Sequence, residues 1–261
     1  MLRAESLRVR IAERLLIDKL DLEVKAGERW GVLGRNGAGK STLLHVLAGL
    51  RAPDAGRVFF GDRPLEKMSR RDAARHAAVL LQEETRDYWG SARDYAMLGR
   101  YPHQSGLFGP AQNDREVVEQ ALADMDLQDA AGRAYRSLSG GERQRARLAA
   151  LLAQQPGFYL CDEPLQQLDL PHQVAFLERL CHEARNRHSA SLMVLHDLVF
   201  ASRYCDHLLL VFGDGRCAQG SREEMMTDEH LRALYGFPLN VRVVDGERIF
   251  LPSRPDDAAQ L

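Results

Sequence analysis

The chain has 261 residues, 45% of them hydrophobic and 28% charged, with 35 basic against 37 acidic side chains and a formal net charge of -2. This is the composition of an ordinary folded protein with room for a substantial core, and it lacks the basic excess of a dedicated nucleic-acid binder, so no nucleic acid is expected as a partner. No apolar run approaches the roughly 18–20 residues of a membrane span, and Met1 to Arg10 alternates charged and apolar residues where a signal peptide would carry an apolar core. Any membrane role is therefore expected to come through a partner. Cys161, Cys181, Cys205 and Cys217 show no C-x-x-C spacing and read as reduced thiols of a cytosolic protein.

In chain order, Trp30-Gly31-Val32-Leu33 reads as a buried strand. The segment Gly34-Arg35-Asn36-Gly37-Ala38-Gly39-Lys40-Ser41-Thr42 follows, and a helix is expected from Ser41 to about Gly49. The segment satisfies G-x-x-x-x-G-K-S/T between a strand and a helix, the setting the motif needs. Its glycines let backbone N–H groups turn inward around a phosphate, and the helix start adds free N–H groups and a positive dipole end. Lys40 supplies a full charge to the outer phosphates, and Ser41 supplies a hydroxyl ligand for Mg²⁺. Taken alone, the segment implies a nucleoside triphosphate with Mg²⁺ and leaves many families open.

Arg57 to Phe60 looks like part of an antiparallel edge near the N-terminus, and Ala78 to Leu81 like a central strand ending at Gln82. From Glu83 to about Leu138 the strand signal disappears. Helices are expected from Ser91 and over Arg115 to Met125, separated by a connector from Arg100 to Pro110. Leu138-Ser139-Gly140-Gly141-Glu142-Arg143-Gln144-Arg145 then opens a helix to about Leu152. Ser139 is placed to cap it, and Gly140 and Gly141 allow a ligand close to the backbone, which makes a second anion-binding turn. One chain rarely needs two such turns for one nucleotide, unless the second serves a partner's ATP.

Phe158-Tyr159-Leu160-Cys161 is the next buried strand and runs into Asp162-Glu163-Pro164. A carboxylate at that strand end can reach a Mg²⁺ beside the phosphate loop, which is the role expected of Asp162. Glu163 could polarise the water that attacks the γ-phosphate. Ser191 to Leu195 is a further central strand, leading to His196. Ser221-Arg222-Glu223-Glu224 has capping-box spacing, and Asp245-Gly246 between Val241/Val243 and Ile249/Leu251 signals a hairpin.

With these motifs in this order, the chain resembles the ATP-binding cassettes of the ABC family. Gly34 to Thr42 resembles its Walker A segment, Leu138 to Gln144 its signature and Phe158 to Glu163 its Walker B segment. Gln82 resembles the Q-loop glutamine, His196 the switch histidine and Leu168-Asp169 the end of the D-loop. The resemblance implies an α/β fold: a P-loop NTPase core with a mostly parallel sheet, an N-terminal antiparallel edge and a helical lobe, about residues 83–152, inserted in a cassette of residues 1–235. Residues 236–261 are expected to form a hairpin tail. It implies a head-to-tail pair in which each ATP lies between one copy's Walker A loop and Ser139, Gly140 and Gly141 of the other. Gln82 would sense Mg²⁺ and link to the membrane partner, and His196 would contact the γ-phosphate.

Two positions depart from the family pattern. Ile11 stands where an adenine-stacking aromatic is usual, and Gln166-Gln167 precede Leu168-Asp169 where small residues are usual. Met97-Leu98-Gly99-Arg100-Tyr101-Pro102-His103 and the tail from Leu234 to Leu239 resemble cassettes of importers for vitamin B12, ferric siderophores and haem, with Asp162 to Leu170 favouring the cobalamin branch. The expected protein is thus an ATPase peripheral on the cytoplasmic face of the membrane, paired with itself, bound to a permease and supplied by a periplasmic binding protein. The alternative is a soluble ABC ATPase, for example in iron–sulfur cluster assembly.

Overall fold

The computed structural model describes residues 1–82, 88–104, 111–244 and 247–252. The chain opens with the hairpin of β1 (Leu2–Ile11) and β2 (Arg14–Val24), then enters the central sheet through β3 (Arg29–Leu33). A glycine-rich turn leads to α1 (Lys40–Leu47), followed by β4 (Ala55–Phe60), β5 (Arg63–Pro64), α2 (Arg70–His76) and β6 (Ala77–Leu80). Among the described residues no strand separates α3 (Ala92–Met97), α4 (Gln112–Asp124) and α5 (Gly140–Ala153). Strands and helices then alternate through β7 (Phe158–Asp162), α6 (Leu170–Arg187), β8 (Ala190–Val194), α7 (Leu198–Tyr204), β9 (His207–Val211) and β10 (Cys217–Ser221). Two short helices, α8 (Arg222–Met225) and α9 (Asp228–Tyr235), and the strands β11 (Leu239–Val244) and β12 (Glu247–Pro252) complete the described chain.

The central sheet has the order β10-β9-β3-β8-β7-β6. Its pairings are parallel except for β10, which runs antiparallel to β9 at one edge. Burial on both faces explains why these strands read as unbroken apolar runs. Phe158 and Leu160 of β7, Leu192 and Val194 of β8, and Leu209 and Val211 of β9 enter one hydrophobic cluster. The alternate Tyr159, Cys161, Met193, Leu208 and Leu210 enter the other. The first cluster is shared with α1 and with the antiparallel element expected at the N-terminus. That element is a sheet of its own, β2-β1-β4-β5, joined to the loop after β9 by a bridge from Ile17 to Gly215.

The helical segment is built on α5, against which α3 and α4 pack. Ser91 caps α3: its hydroxyl accepts from the Asp94 N–H at 3.1 Å, and the Asp94 carboxylate accepts from the Ser91 N–H at 2.9 Å. The Arg115–Met125 expectation corresponds to α4, one turn longer at its start. The stretch from Met97 to His103 clasps the end of α5. A side chain at Gly99 would place Cβ 2.1 Å from the Ala150 carbonyl, so only glycine lets the strand of backbone pass. Arg100 is buried there, donating to Asp114 at 2.8 Å and to the Ala153 carbonyl at 2.8 Å, while His103 meets the Gln154 carbonyl at 2.7 Å. Burial pushes the Asp114 carboxyl up, but Arg100 and the Ala111 N–H outweigh it and hold the group below its ordinary value.

Ser221 caps α8 with its expected box partner Glu224, and β11 pairs with β12 with Val241 opposite Phe250. The turn expected at Asp245-Gly246 and the end of the connector, Ser105 to Pro110, lie outside the described residues. Arg100→Met leaves Asp114 buried without its cation, and breaking a buried pair from one side costs roughly 3–5 kcal/mol. Urea unfolding is expected to show an unfolding free energy lowered by that amount, read as a midpoint moved to lower urea at an unchanged slope; an unchanged midpoint would contradict the clasp.

Candidate nucleotide site

Because β3, β8, β7 and β6 are parallel neighbours, their C-terminal ends open onto one edge of the sheet, where ligands of such folds collect. The residues leaving those ends are Gly34 after β3, His196 after β8, Glu163 after β7 and Gln82 after β6.

The turn after β3 is shaped by two glycines in particular. A Cβ at Gly34 would fall 2.5 Å from the Val211 carbonyl, and Gly39, the N-cap of α1, has φ 105° with Leu16 packed where a side chain would go. The Leu43 N–H closes the first turn on the Gly39 carbonyl at 2.9 Å. The N–H groups of Lys40, Ser41 and Thr42 precede that bond and have no intrahelical acceptor, which is the anion-binding end of a helix. Lys40 is buried, and its ammonium donates to the carbonyls of Gly34 at 2.8 Å and Arg35 at 3.1 Å. Burial lowers its pKa, against the pull of Glu163 and Asp162.

A cavity of about 660 Å³ opens beside this turn, lined by Asn36, Gly37, Gly39, Lys40, Ser41, Thr42, Gln82, Glu163 and His196 among the expected site residues. Gly34 and Ala38 are buried within the turn, and the guanidinium of exposed Arg35 lies near Gly236. Asp162 is 2% exposed, and neither of its carboxylate oxygens meets a donor in good hydrogen-bond geometry. Burial pushes its pKa up; the nearby Ser41 hydroxyl pulls the other way, and the Glu163 charge adds to the rise. A buried carboxylate whose nearby donor is the Ser41 hydroxyl, beside a cavity that Ser41 and Gln82 line, is an all-oxygen set suited to a hard divalent cation.

Glu163 has φ 49°, a left-handed conformation that is uncommon outside glycine, and the following Pro164 restricts it further. Such backbone costs of order 1–3 kcal/mol and is retained where the surroundings enforce it. Here its side chain is pinned on both oxygens. Oε1 lies 2.7 Å from His196 Nε2, and Oε2 accepts from the side-chain amide of Gln166.

The second anion-binding turn stands apart. Ser139 caps α5, accepting from the Glu142 N–H at 3.2 Å, while Glu142 accepts from the Ser139 N–H at 2.7 Å and pairs with Arg133 at 2.6 Å. Those contacts, with the Ser139 N–H bond foremost, hold the Glu142 carboxyl below its ordinary value. Ser139 is exposed and Gly140 and Gly141 are half-buried; none of the three lines the cavity. Four lining residues lie outside the motifs: Ile11, Arg14, Leu16 and Gln166. The first three come from the β1–β2 hairpin folded over the turn, with Ile11 paired to Arg14 and Arg14 donating to the Gly213 carbonyl at 3.1 Å. Ile11 at the family's aromatic position was visible in the sequence; Arg14 gave no local signal.

A family model described as ABC transporter matches residues 17–166. The chain is 40% identical over 247 residues to the hemin import ATP-binding protein HmuV of Pseudomonas aeruginosa, covering 93% of this chain and 95% of that protein. It is 37% identical to the "Probable siderophore transport system ATP-binding protein YusV" of Bacillus subtilis, covering 92% and 86% respectively. Among solved structures, a chain of an inward-facing metal-chelate type ABC transporter superposes with a TM-score of 0.82 and 26% identity, covering 98% of each chain. A dimeric cassette bound to ADP and Pi shares the fold at a TM-score of 0.76 and 20% identity, covering 85% of this chain.

Ile11 is 47% exposed at the cavity. An aromatic ring there gains about 0.5–1.5 kcal/mol of stacking, so Ile11→Tyr is expected to tighten ATP binding up to about tenfold in a fluorescent-nucleotide titration. Unchanged affinity would place the base elsewhere.

Proposed function

Since this chain belongs to the ABC transporter family and is an ATPase of that family, we propose that it is the motor subunit of an importer for a metal-chelate cargo, hemin or a ferric siderophore, working as a pair beneath a membrane permease. The observation that carries the paired reading is the division of the phosphate-binding equipment. The cavity holds the Lys40 turn, Glu163 and His196, while the capped turn at Ser139 stands exposed outside it. A turn so placed suits the ATP of a second copy.

In this reading the triphosphate lies along the N–H groups of Lys40, Ser41 and Thr42, with the Lys40 ammonium on the outer phosphates. Ser41, Asp162 and Gln82 would hold Mg²⁺, which when bound neutralises phosphate charge. Glu163 accepts a proton from the attacking water, and general-base help of this kind is typically worth ~10²–10⁴-fold. His196, joined to Glu163, contacts the γ-phosphate. Ser139, Gly140 and Gly141 of the second copy close the site, so hydrolysis and release open the pair. The cassette is residues 1–235, with a helical lobe at about 83–152, and the tail is 236–261.

A smaller groove of about 270 Å³ supports the permease contact. It lies between the end of β6, which leads to Gln82, and the exposed Leu98 with the half-buried Tyr95 beside α5. No helix among the described residues is long and apolar enough to cross a membrane, and the proposed location is the cytoplasmic face, with a periplasmic binding protein delivering cargo. The names of the relatives, hemin import and siderophore transport, favour those cargoes over cobalamin and over a soluble assembly ATPase.

Glu163→Gln is expected to retain ATP binding and accumulate as a dimer in size-exclusion chromatography with ATP, with turnover reduced at least a hundredfold. Normal turnover would overturn the role of Glu163. Cells lacking the chain are expected to lose uptake of hemin or of a ferric siderophore while cobalamin uptake persists. Purification with a soluble complex that has no membrane subunit would instead favour the assembly role.

A further inference from the structure

The pair Gln166-Gln167 is bulky where related cassettes carry small residues, and the mechanism above gives it no task. Both side chains are nevertheless engaged. Gln166 lines the nucleotide cavity and donates its amide to Oε2 of Glu163. A turn delivers it there, since the Gln166 N–H also bonds the Glu163 carbonyl at 3.3 Å. His196 holds the other carboxylate oxygen at 2.7 Å. A carboxylate tethered on one oxygen still swings about its last bond; tethered on both, its plane is fixed. Each oxygen has two acceptor positions, so one on each remains for water.

The loop that carries Gln166 is itself braced. The Gln144 amide donates to the Pro164 carbonyl at 2.8 Å, and the Gln173 amide bridges the carbonyls of Leu165 at 3.2 Å and Leu168 at 3.1 Å. Gln167, at φ 63°, lays its side-chain oxygen against Gly140, where a Cβ would sit only 2.9 Å away.

We propose that Gln166 is a positioning residue for hydrolysis: its amide fixes the Glu163 carboxylate plane toward the attacking water, and Gln167 seats the loop on the signature turn. The inference rests on Glu163 being the water-activating group. It makes the alignment of that carboxylate a property of one chain, supplied by a side chain that small residues at this position could not offer.

The test is steady-state ATP hydrolysis by the full-length subunit carrying Gln166→Met, which keeps the length and shape of the side chain and removes the N–H donor. Misplacing a reacting group by about an ångström costs up to ~10²-fold. The expected result is a kcat lowered roughly tenfold or more, with KM for ATP and the melting temperature unchanged. In a Glu163→Gln background the same substitution is expected to add nothing to the single-turnover rate, because the two act as one unit. An unchanged kcat in Gln166→Met would overturn the proposal. So would a raised KM at unchanged kcat, which would put Gln166 on the nucleotide. If Glu163→Gln alone turned over normally, the reading of Glu163 would fail. If that variant is inactive while Gln166→Met is fully active, only the positioning role fails.

Discussion

Parallel pairing of β3, β8, β7 and β6 is the constraint on which the site depends. Val194 pairs with Val32 on one side and with Asp162 on the other, so the ends of three strands are level. A slip of one residue in β7 would exchange Tyr159 and Cys161 for Phe158 and Leu160 between the two hydrophobic clusters. It would also lift Asp162 out of its buried place beside Ser41. The core therefore enforces the position of a carboxylate that is itself unfavourable to bury, and the burial of apolar alternates on both faces offsets that cost.

The glutamate one residue on shows the same trade on a smaller scale. Its left-handed backbone is strained, and its carboxylate is held by groups from two other segments, His196 after β8 and Gln166 in the following loop. Strain of this kind at a pinned acidic group fits a side chain whose direction matters more than its comfort.

Much of this was legible in the sequence where the chemistry is local. The phosphate turn, the capped turn at Ser139, the acidic strand end and the four central runs all depend on contiguous residues, and the structure places them within a residue or two of expectation. The β1–β2 hairpin was not legible, for a physical reason. Leu2 and Ala4 point into the core, then a bulge at Ser6 (φ 47°) shifts the phase so that Leu7 and Val9 do; Lys19 (φ 51°) interrupts β2 in the same way. Period-two reading fails across such shifts, and with it the means to foresee Arg14 and Leu16 in the cavity. The stretch Met97 to His103 carried a signal but not its meaning. Gly99 and Arg100 are there because the backbone must pass within touching distance of α5 and satisfy its last carbonyls.

That clasp gives α5 a mechanical character. The helix has 14 residues and so extends about 21 Å at 1.5 Å per residue. It is gripped at its C-terminal end by Arg100 and His103, and its opposite end is the capped turn with Ser139. Partway along, Gln144 holds the Pro164 carbonyl and receives Arg147, which also donates to the Leu81 carbonyl just before Gln82. One helix thus ties together three places distant in sequence: its clasped end, the exposed turn and, through Gln144, the loop that seats the glutamate.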